Sequence, residues 1–263
     1  MRQCPGAVIV DVADEAKFAA VLQNARHRVH RGVLHEAPFP VPTLRPGVGM
    51  DQVDPRERLR RRPGHQFGGV ALQSSAPAAL SGLFPHSPGE IRLEIGFGGA
   101  EHLIAQAERN PACGFIGVEP FLNGMAKALA AIEAKGLTNI RLHHGDATDL
   151  LVWLPQQSLH RIDLLYPDPW PKRRHWKRRF VQDRSVAALA RVLKPAGIFR
   201  FASDIPDYAA WTLQRLLRSE YFQWTAQRAD DWRKPWPDFE RTRYEAKAVR
   251  EGRTPCYLEF IRR

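Results

Sequence analysis

The sequence predicts an α/β fold on a mostly parallel, doubly wound sheet, and three observations carry that prediction. From Ile91 onward, short apolar runs alternate with helical stretches, the pattern of βαβ units. The first run ends in a glycine-rich turn, Gly96-Phe97-Gly98-Gly99, that opens a helix. Acids stand within or just beyond three successive runs, at Glu94, Glu119 and Asp146, near the strand ends where such sheets bind ligands.

The elements follow in order. Strands are expected at IRLEI (91–95), GFIGVE (114–119), NIRLHH (139–144), RIDLLY (161–166) and GIFRFAS (197–203), with helices near 100–109, 121–135, 147–154 and 175–193. In the last helix Val186, Leu189, Ala190 and Leu193 recur at i, i+3, i+4 and i+7, and Lys194-Pro195-Ala196-Gly197 stops it. A helix near 206–219 and two closing strands, FQWTAQ and CYLEFIRR, bring the strands to seven.

Upstream the texture is different. Residues 14–31 are consistent with a short helix, Asp14 and Glu15 at its start and Arg26, Arg28 and Arg31 near its end, a charge order that suits the helix dipole. Residues 37–50 hold four prolines and two glycines, a linker composition. Pro55–His65 carries five arginines, too concentrated for a core, and reads either as a disordered basic tail or as an RNA-contacting arm. The chain therefore divides into a poorly ordered extension at 1–50, a basic arm and lead-in helix at 51–90, and the α/β domain at 91–263.

The chain has 263 residues with 39 Lys+Arg against 28 Asp+Glu, a net charge of +11, which calls for an anionic partner, nucleic acid before membrane. Cys4, Cys113 and Cys256 are far apart with no CxxC pair, so neither a disulfide framework nor a metal site is expected. No apolar run reaches the roughly 18 residues of a membrane span. A cytoplasmic protein, monomer or homodimer, is the expectation.

The glycine turn differs from a dinucleotide fingerprint. Counted from Gly96, the sixth position is Glu101, whose carboxylate would repel a pyrophosphate at that helix start. Glu119 is placed to accept hydrogen bonds from ribose hydroxyls. Gly145-Asp146-Ala147 would either meet an adenine edge or cap a helix. A cationic ligand carrying an adenosine suits these acids, and the expected ligand of that kind is S-adenosylmethionine.

Together RLEIGFGG, GVEP, GDA, LLYPDPWPKRRHWKRR, FASD and TRYEAKA resemble the tRNA (guanine-N7-)-methyltransferase family of the bacterial TrmB type, in order from about Arg92 to the C-terminus. PDPWPKRRHWKRR is the most specific of these stretches. The resemblance implies a seven-stranded class I methyltransferase sheet, S-adenosylmethionine as donor, and methylation of a guanine in the tRNA variable loop, guanine 46. By the family's motifs Glu94, Glu119, Asp146 and Asp168 map to donor-binding positions, with Gly96 and Gly98 in the donor turn and Asp168 also catalytic. Lys172, Asp204, Thr242, Arg243, Tyr244 and Glu245 map to substrate-binding positions. Ala100 stands where the family often has a third glycine, and Arg243-Tyr244 replaces a Lys-Phe pair. LRRRPGH matches the family's basic N-terminal motif only partly. Residues 1–50 match nothing in the family and read as an extension upstream of a start nearer Met50.

The chemistry agrees with this resemblance. Guanine N7 carries a lone pair and no proton at neutral pH, so no general base is needed and positioning dominates. A fixed carboxylate would stabilise the base as it becomes cationic. Pro167 and Pro169 hold Asp168 in an extended turn. Lys172, Arg173, Arg174, Lys177, Arg178 and Arg179 are expected to neutralise tRNA phosphates. Trp170 is expected in the core in preference to a base stack, and His143, His144 and His175 as structural or phosphate-facing. Two other readings remain: an exocyclic base-nitrogen RNA methyltransferase, whose motif has Pro-Pro where this chain has Pro169-Trp170, and a non-catalytic tRNA-binding protein on a methyltransferase scaffold.

Overall fold

The computed structural model describes residues 8–10, 70–71 and 79–263. The helix expected at 14–31, the linker at 37–50, the arginine-rich arm at 55–65 and the boundary at residue 50 lie outside the described residues. Two short strands, β1 (Val8–Val10) and β2 (Val70–Ala71), precede the main run. That run is β3 (Glu90–Ile95), α1 (Glu101–Arg109), β4 (Cys113–Val118), α2 (Leu122–Lys135), β5 (Ile140–His143), α3 (Ala147–Trp153) and β6 (Leu159–Leu165). It continues through α4 (Asp183–Val192), β7 (Leu193–Ser203), α5 (Pro206–Arg218), β8 (Phe222–Trp224), α6 (Asp230–Arg233), α7 (Arg243–Arg250) and β9 (Cys256–Arg262).

The sheet order is β2-β1-β5-β4-β3-β6-β7-β9-β8. From β5 to β7 the pairs are parallel, and β9 lies antiparallel between β7 and β8. The seven strands from Glu90 onward match the seven-stranded sheet that the resemblance implies, with β9 reversed and the short β1 and β2 added at one edge. The chain leaves β3 in one direction through β4 and β5 and returns to its other side at β6. This reversal puts the topological switch point between the C-terminal ends of β3 and β6, the place where a doubly wound sheet opens a ligand crevice.

Helices on both faces explain the strand composition. Leu93, Ile116, Ile140, Ile162, Phe199, Phe201 and Phe260 are all essentially fully buried, as a sheet covered on both sides requires. Burying one such side chain stabilises the fold by about 1.5–3 kcal/mol. The rigid platform this packing makes fixes the loops at the strand ends.

Three local outcomes differ from the expectations. The helix expected at 175–193 is interrupted: Arg173–Arg178 is a 3-10 turn, the chain extends at Arg179, and Gln182 with Ser185 forms a capping box that starts α4 afresh. Strand β7 begins at Leu193, inside the expected helix, with Ala196 at φ +61° in the segment expected to act as a stop. Helices α6 and α7 are additional to the expected elements, although Thr242 and Glu245 stand at the Thr-x-x-Glu spacing of a capping box, and Thr242 Oγ1 does accept from the Glu245 amide at 3.2 Å. Among the described residues no helix is long and apolar enough to cross a membrane.

Candidate active site

At the end of β3 the backbone must turn sharply. Gly96 and Gly98 have φ of +70° and +56°, which glycine adopts without steric cost. Ala100 takes the same left-handed region at φ +66° and is wholly buried as the N-cap of α1. An L-residue pays a conformational penalty there. Glu119, at the end of β4, holds the turn: its Oε2 accepts from the Gly98 amide at 2.9 Å and its Oε1 from the Phe121 amide at 3.0 Å. Gly124 lets α2 close against both, since a Cβ there would lie 2.5 Å from the Gly98 carbonyl oxygen and 2.8 Å from Glu119 Cγ.

The acids of the crevice are not equivalent. Glu94 is 5 % exposed and sits 2.8 Å from Nδ1 of the equally buried His102. Burial pulls the His102 imidazole down, but the Glu94 carboxylate outweighs it and the net shift is upward. Glu94 thus anchors α1 to β3 beneath the turn. Asp146 is exposed and caps α3, with Oδ1 accepting from the Thr148 amide at 2.8 Å. That bond uses one oxygen and leaves the other to a ligand, so the cap and adenine readings of Asp146 are compatible.

The Pro167–Pro169 turn follows β6, beside the donor turn. Asp168 is exposed, and among the described residues its carboxylate makes no hydrogen bond or ion pair. Two non-glycine residues in the left-handed region bracket it, Tyr166 at φ +50° and Trp170 at φ +43°. Each such conformation costs on the order of 1–3 kcal/mol and persists only where its surroundings enforce it. Trp170 is half-buried, edge-on to His175 with Arg178 stacked 4.9 Å from its ring centre. It is therefore outside the core, which corrects the expectation for it; the sharp turn and the adjoining 3-10 segment keep the indole at the surface.

The basic tract divides into two parts. Lys172, Arg173, Arg174, Lys177 and Arg178 are exposed, available to phosphates. Arg179 is 1 % exposed, so its assignment as a phosphate contact is corrected. Its Nε donates to the Pro169 carbonyl at 2.9 Å, its Nη2 pairs with Asp207, and the rings of Trp176, Tyr208 and Trp211 surround it. The break before α4 turns this one arginine inward.

Helix α7 lies over the glycine turn. At the start of α7, Tyr244 Cε2 lies 3.1 Å and Arg243 Nη2 lies 3.5 Å from where a Cβ on Gly98 would stand. Arg243 and Tyr244 are exposed, whereas Thr242 and Glu245 are buried. The four expected substrate contacts at the start of α7 thus point two outward and two inward, because the cap uses Thr242 and the α7 core face takes Glu245. Glu245 Oε1 accepts from the Tyr257 hydroxyl at 2.6 Å. Its buried Oε2 makes no hydrogen bond among the described residues and lies 3.6 Å from Arg241 Nε. Burial and the Glu245 carboxylate push the Tyr257 phenol well up, so Tyr257 stays a donor. Asp204, expected at the substrate, accepts from Arg253 at 2.5 Å and so ties the β7 end to the segment after α7.

Residues the sequence did not single out hold this cover in place. Arg161 donates to Asp163 at 3.0 Å, to Asp238 at 2.6 Å and to Gln106 at 2.7 Å, while Arg200 donates to Asp238 at 2.7 Å and to Glu259 at 2.8 Å. Asp238 lies just before Thr242, so two strands fasten the approach to α7. A charged pair inside the apolar run RIDLL was the available signal for Arg161 and Asp163; nothing in the sequence marked Asp238 as their partner.

Residues 89–258 match the Methyltransf_4 family model, described as "Putative methyltransferase". The chain is 60 % identical over 194 residues, 74 % of its length and 76 % of the relative, to a tRNA (guanine-N(7)-)-methyltransferase of Rhodopseudomonas palustris strain HaA2. The chain belongs to the tRNA (guanine-N7-)-methyltransferase family. Relatives of the same name in Nitrobacter hamburgensis and Agrobacterium fabrum are 61 % and 59 % identical, over 72 % and 74 % of this chain and 74 % and 84 % of theirs. The donor of this family is S-adenosylmethionine, and the residues fit it. Glu119 and Asp146 retain lone pairs beyond their backbone bonds, and nothing stands within 4 Å of where a Cβ on Gly96 would be.

Proposed function

We propose that this protein transfers a methyl group from S-adenosylmethionine to N7 of guanine 46 in the variable loop of tRNA. One observation carries the reading: Asp168, a carboxylate without a partner among the described residues, stands on a proline-locked turn between the donor crevice and a rim of exposed cations. S-adenosylmethionine, when bound, supplies a methyl group on a positively charged sulfur. Glu94 supports the donor turn, Gly96 leaves room for the donor and Gly98 lets the turn bend beside it, and Glu119 and Asp146 receive its hydroxyl and amino hydrogens. Asp168 orients the guanine and stabilises the positive charge that develops on its imidazole ring, a contribution made most strongly in the transition state.

Lys172, Asp204, Arg243 and Tyr244 form the guanosine side of the site, and Thr242 and Glu245 fix α7 behind them. Arg173, Arg174, Lys177 and Arg178 hold flanking phosphates. A structured loop suits this rim better than a duplex, whose deep, narrow major groove hides N7. The reading is tested by methyl incorporation into unmodified tRNA by the native protein and by Asp168→Ala: the variant should lose turnover and keep tRNA affinity.

A further inference from the structure

We propose that Arg179 is a positioning residue for Asp168, and that Asp207 completes the clamp. This inference rests on the reading of Asp168 as the residue that meets the guanine. Arg179 ends a tract whose other cations are exposed, yet its side chain is sealed from solvent. Its guanidinium joins two elements: Nε binds the carbonyl of Pro169, the residue after Asp168, and Nη2 binds Asp207 in the first turn of α5.

The surroundings keep that fork in one orientation. Its carbon lies 4.9 Å from the Trp176 ring centre and 5.0 Å from those of Tyr208 and Trp211. Tyr208 and Trp211 are fastened in turn to the strand-like segment beyond Arg179: the Val181 amide donates to the Tyr208 hydroxyl at 3.3 Å, and Trp211 Nε1 donates to the Val181 carbonyl at 2.7 Å. The turn that Arg179 grips is the one bracketed by left-handed Tyr166 and Trp170, a geometry that needs an external hold. The planar fork of arginine spans Pro169 and Asp207 together. A lysine ammonium on a flexible stem reproduces the charge without that geometry.

Arg179→Lys and Asp207→Ala separate this role from phosphate binding. Both are compared with Asp168→Ala and with Arg174→Ala, an exposed member of the tract, using full-length protein, S-adenosylmethionine and unmodified tRNA. Single-turnover rate at saturation, tRNA Kd across a salt series and donor Kd are measured. Positioning predicts a rate loss of at least about tenfold in both clamp variants, with tRNA Kd, its salt slope and donor Kd within about twofold of native. Arg174→Ala should instead weaken tRNA and flatten the slope. Asp207 is more than half exposed, so its truncation is the variant that decides if Arg179→Lys fails to fold. Native rates in Asp207→Ala, or a weaker and less salt-sensitive tRNA complex in either clamp variant, overturn the proposal. If Asp168→Ala itself turns over normally, the reading beneath the proposal fails instead.

Discussion

The Gly98 amide donates to Glu119 Oε2 at 2.9 Å, so the acid ending one strand fixes the turn ending its neighbour. Removing that acid should harm the donor site twice. Glu119→Ala leaves the buried Gly98 amide without an acceptor, at about 1–3 kcal/mol, frees the part-buried Phe121 amide, and takes away the proposed ribose partner. Glu119→Gln keeps one acceptor oxygen. We expect calorimetry to show weaker S-adenosylmethionine binding in both, and thermal unfolding to show a larger loss of stability in the alanine variant. Native donor affinity in Glu119→Gln would remove Glu119 from the donor site.

Gly98→Ala tests the closeness of α7 to the same turn. The added methyl meets Tyr244 at 3.1 Å in a backbone already at φ +56°. Donor binding should weaken, and Gly98→Ala/Tyr244→Ala should recover only the part due to crowding, since the left-handed backbone still costs an L-residue about 1 kcal/mol or more. Full recovery in the double variant would show that the backbone geometry carries no cost.

Asp238 gives a pH prediction. Burial pushes its carboxyl up, but Arg200 and Arg161 outweigh that and hold it down at about 2. A depressed folded value means the stabilisation is complete above the ordinary value near 4 and is lost as pH falls through about 2. Because the side chain is 39 % exposed, solvent screening limits the effect to about 1 kcal/mol. Urea unfolding of native protein and Asp238→Asn should therefore differ at pH 6 and converge towards pH 2. A gap that does not change with pH would contradict the ion-pair account.

The exposed cations should behave as a phosphate rim. Neutralising Arg173, Arg174 and Arg178 together should weaken tRNA binding and reduce the slope of log Kd against log salt by about one for each phosphate left without its cation. Filter binding across a salt series measures this. An unchanged slope would move the rim away from the RNA.

Much of this architecture is legible in the sequence because alternating apolar runs report burial directly. The seven strands of the main sheet and the glycine turn follow from that alternation, and the acids at the strand ends mark the crevice. Arg179 misleads because a run of cations looks solvated from sequence; its burial depends on aromatic rings from α5, about thirty residues downstream, that no local pattern announces. Trp170 misleads because its residue type is usually buried, whereas its φ of +43° is set by the turn. Helix α7 is short, and its capping spacing is its one local signal. The long-range fastening of Asp238 to Arg161 and Arg200 pairs residues 77 and 38 positions apart, beyond any periodicity.

The most direct test of the central claim is to map the methyl group. Native protein and Asp168→Ala are each incubated with labelled S-adenosylmethionine and unmodified tRNA, and the product is cut by N7-methylguanine-specific strand cleavage. The account predicts one cleavage site, at guanine 46, for the native protein, and almost no label for Asp168→Ala although it still binds the tRNA. Label that resists N7-specific cleavage, cleavage at another position, or native incorporation by Asp168→Ala would contradict it.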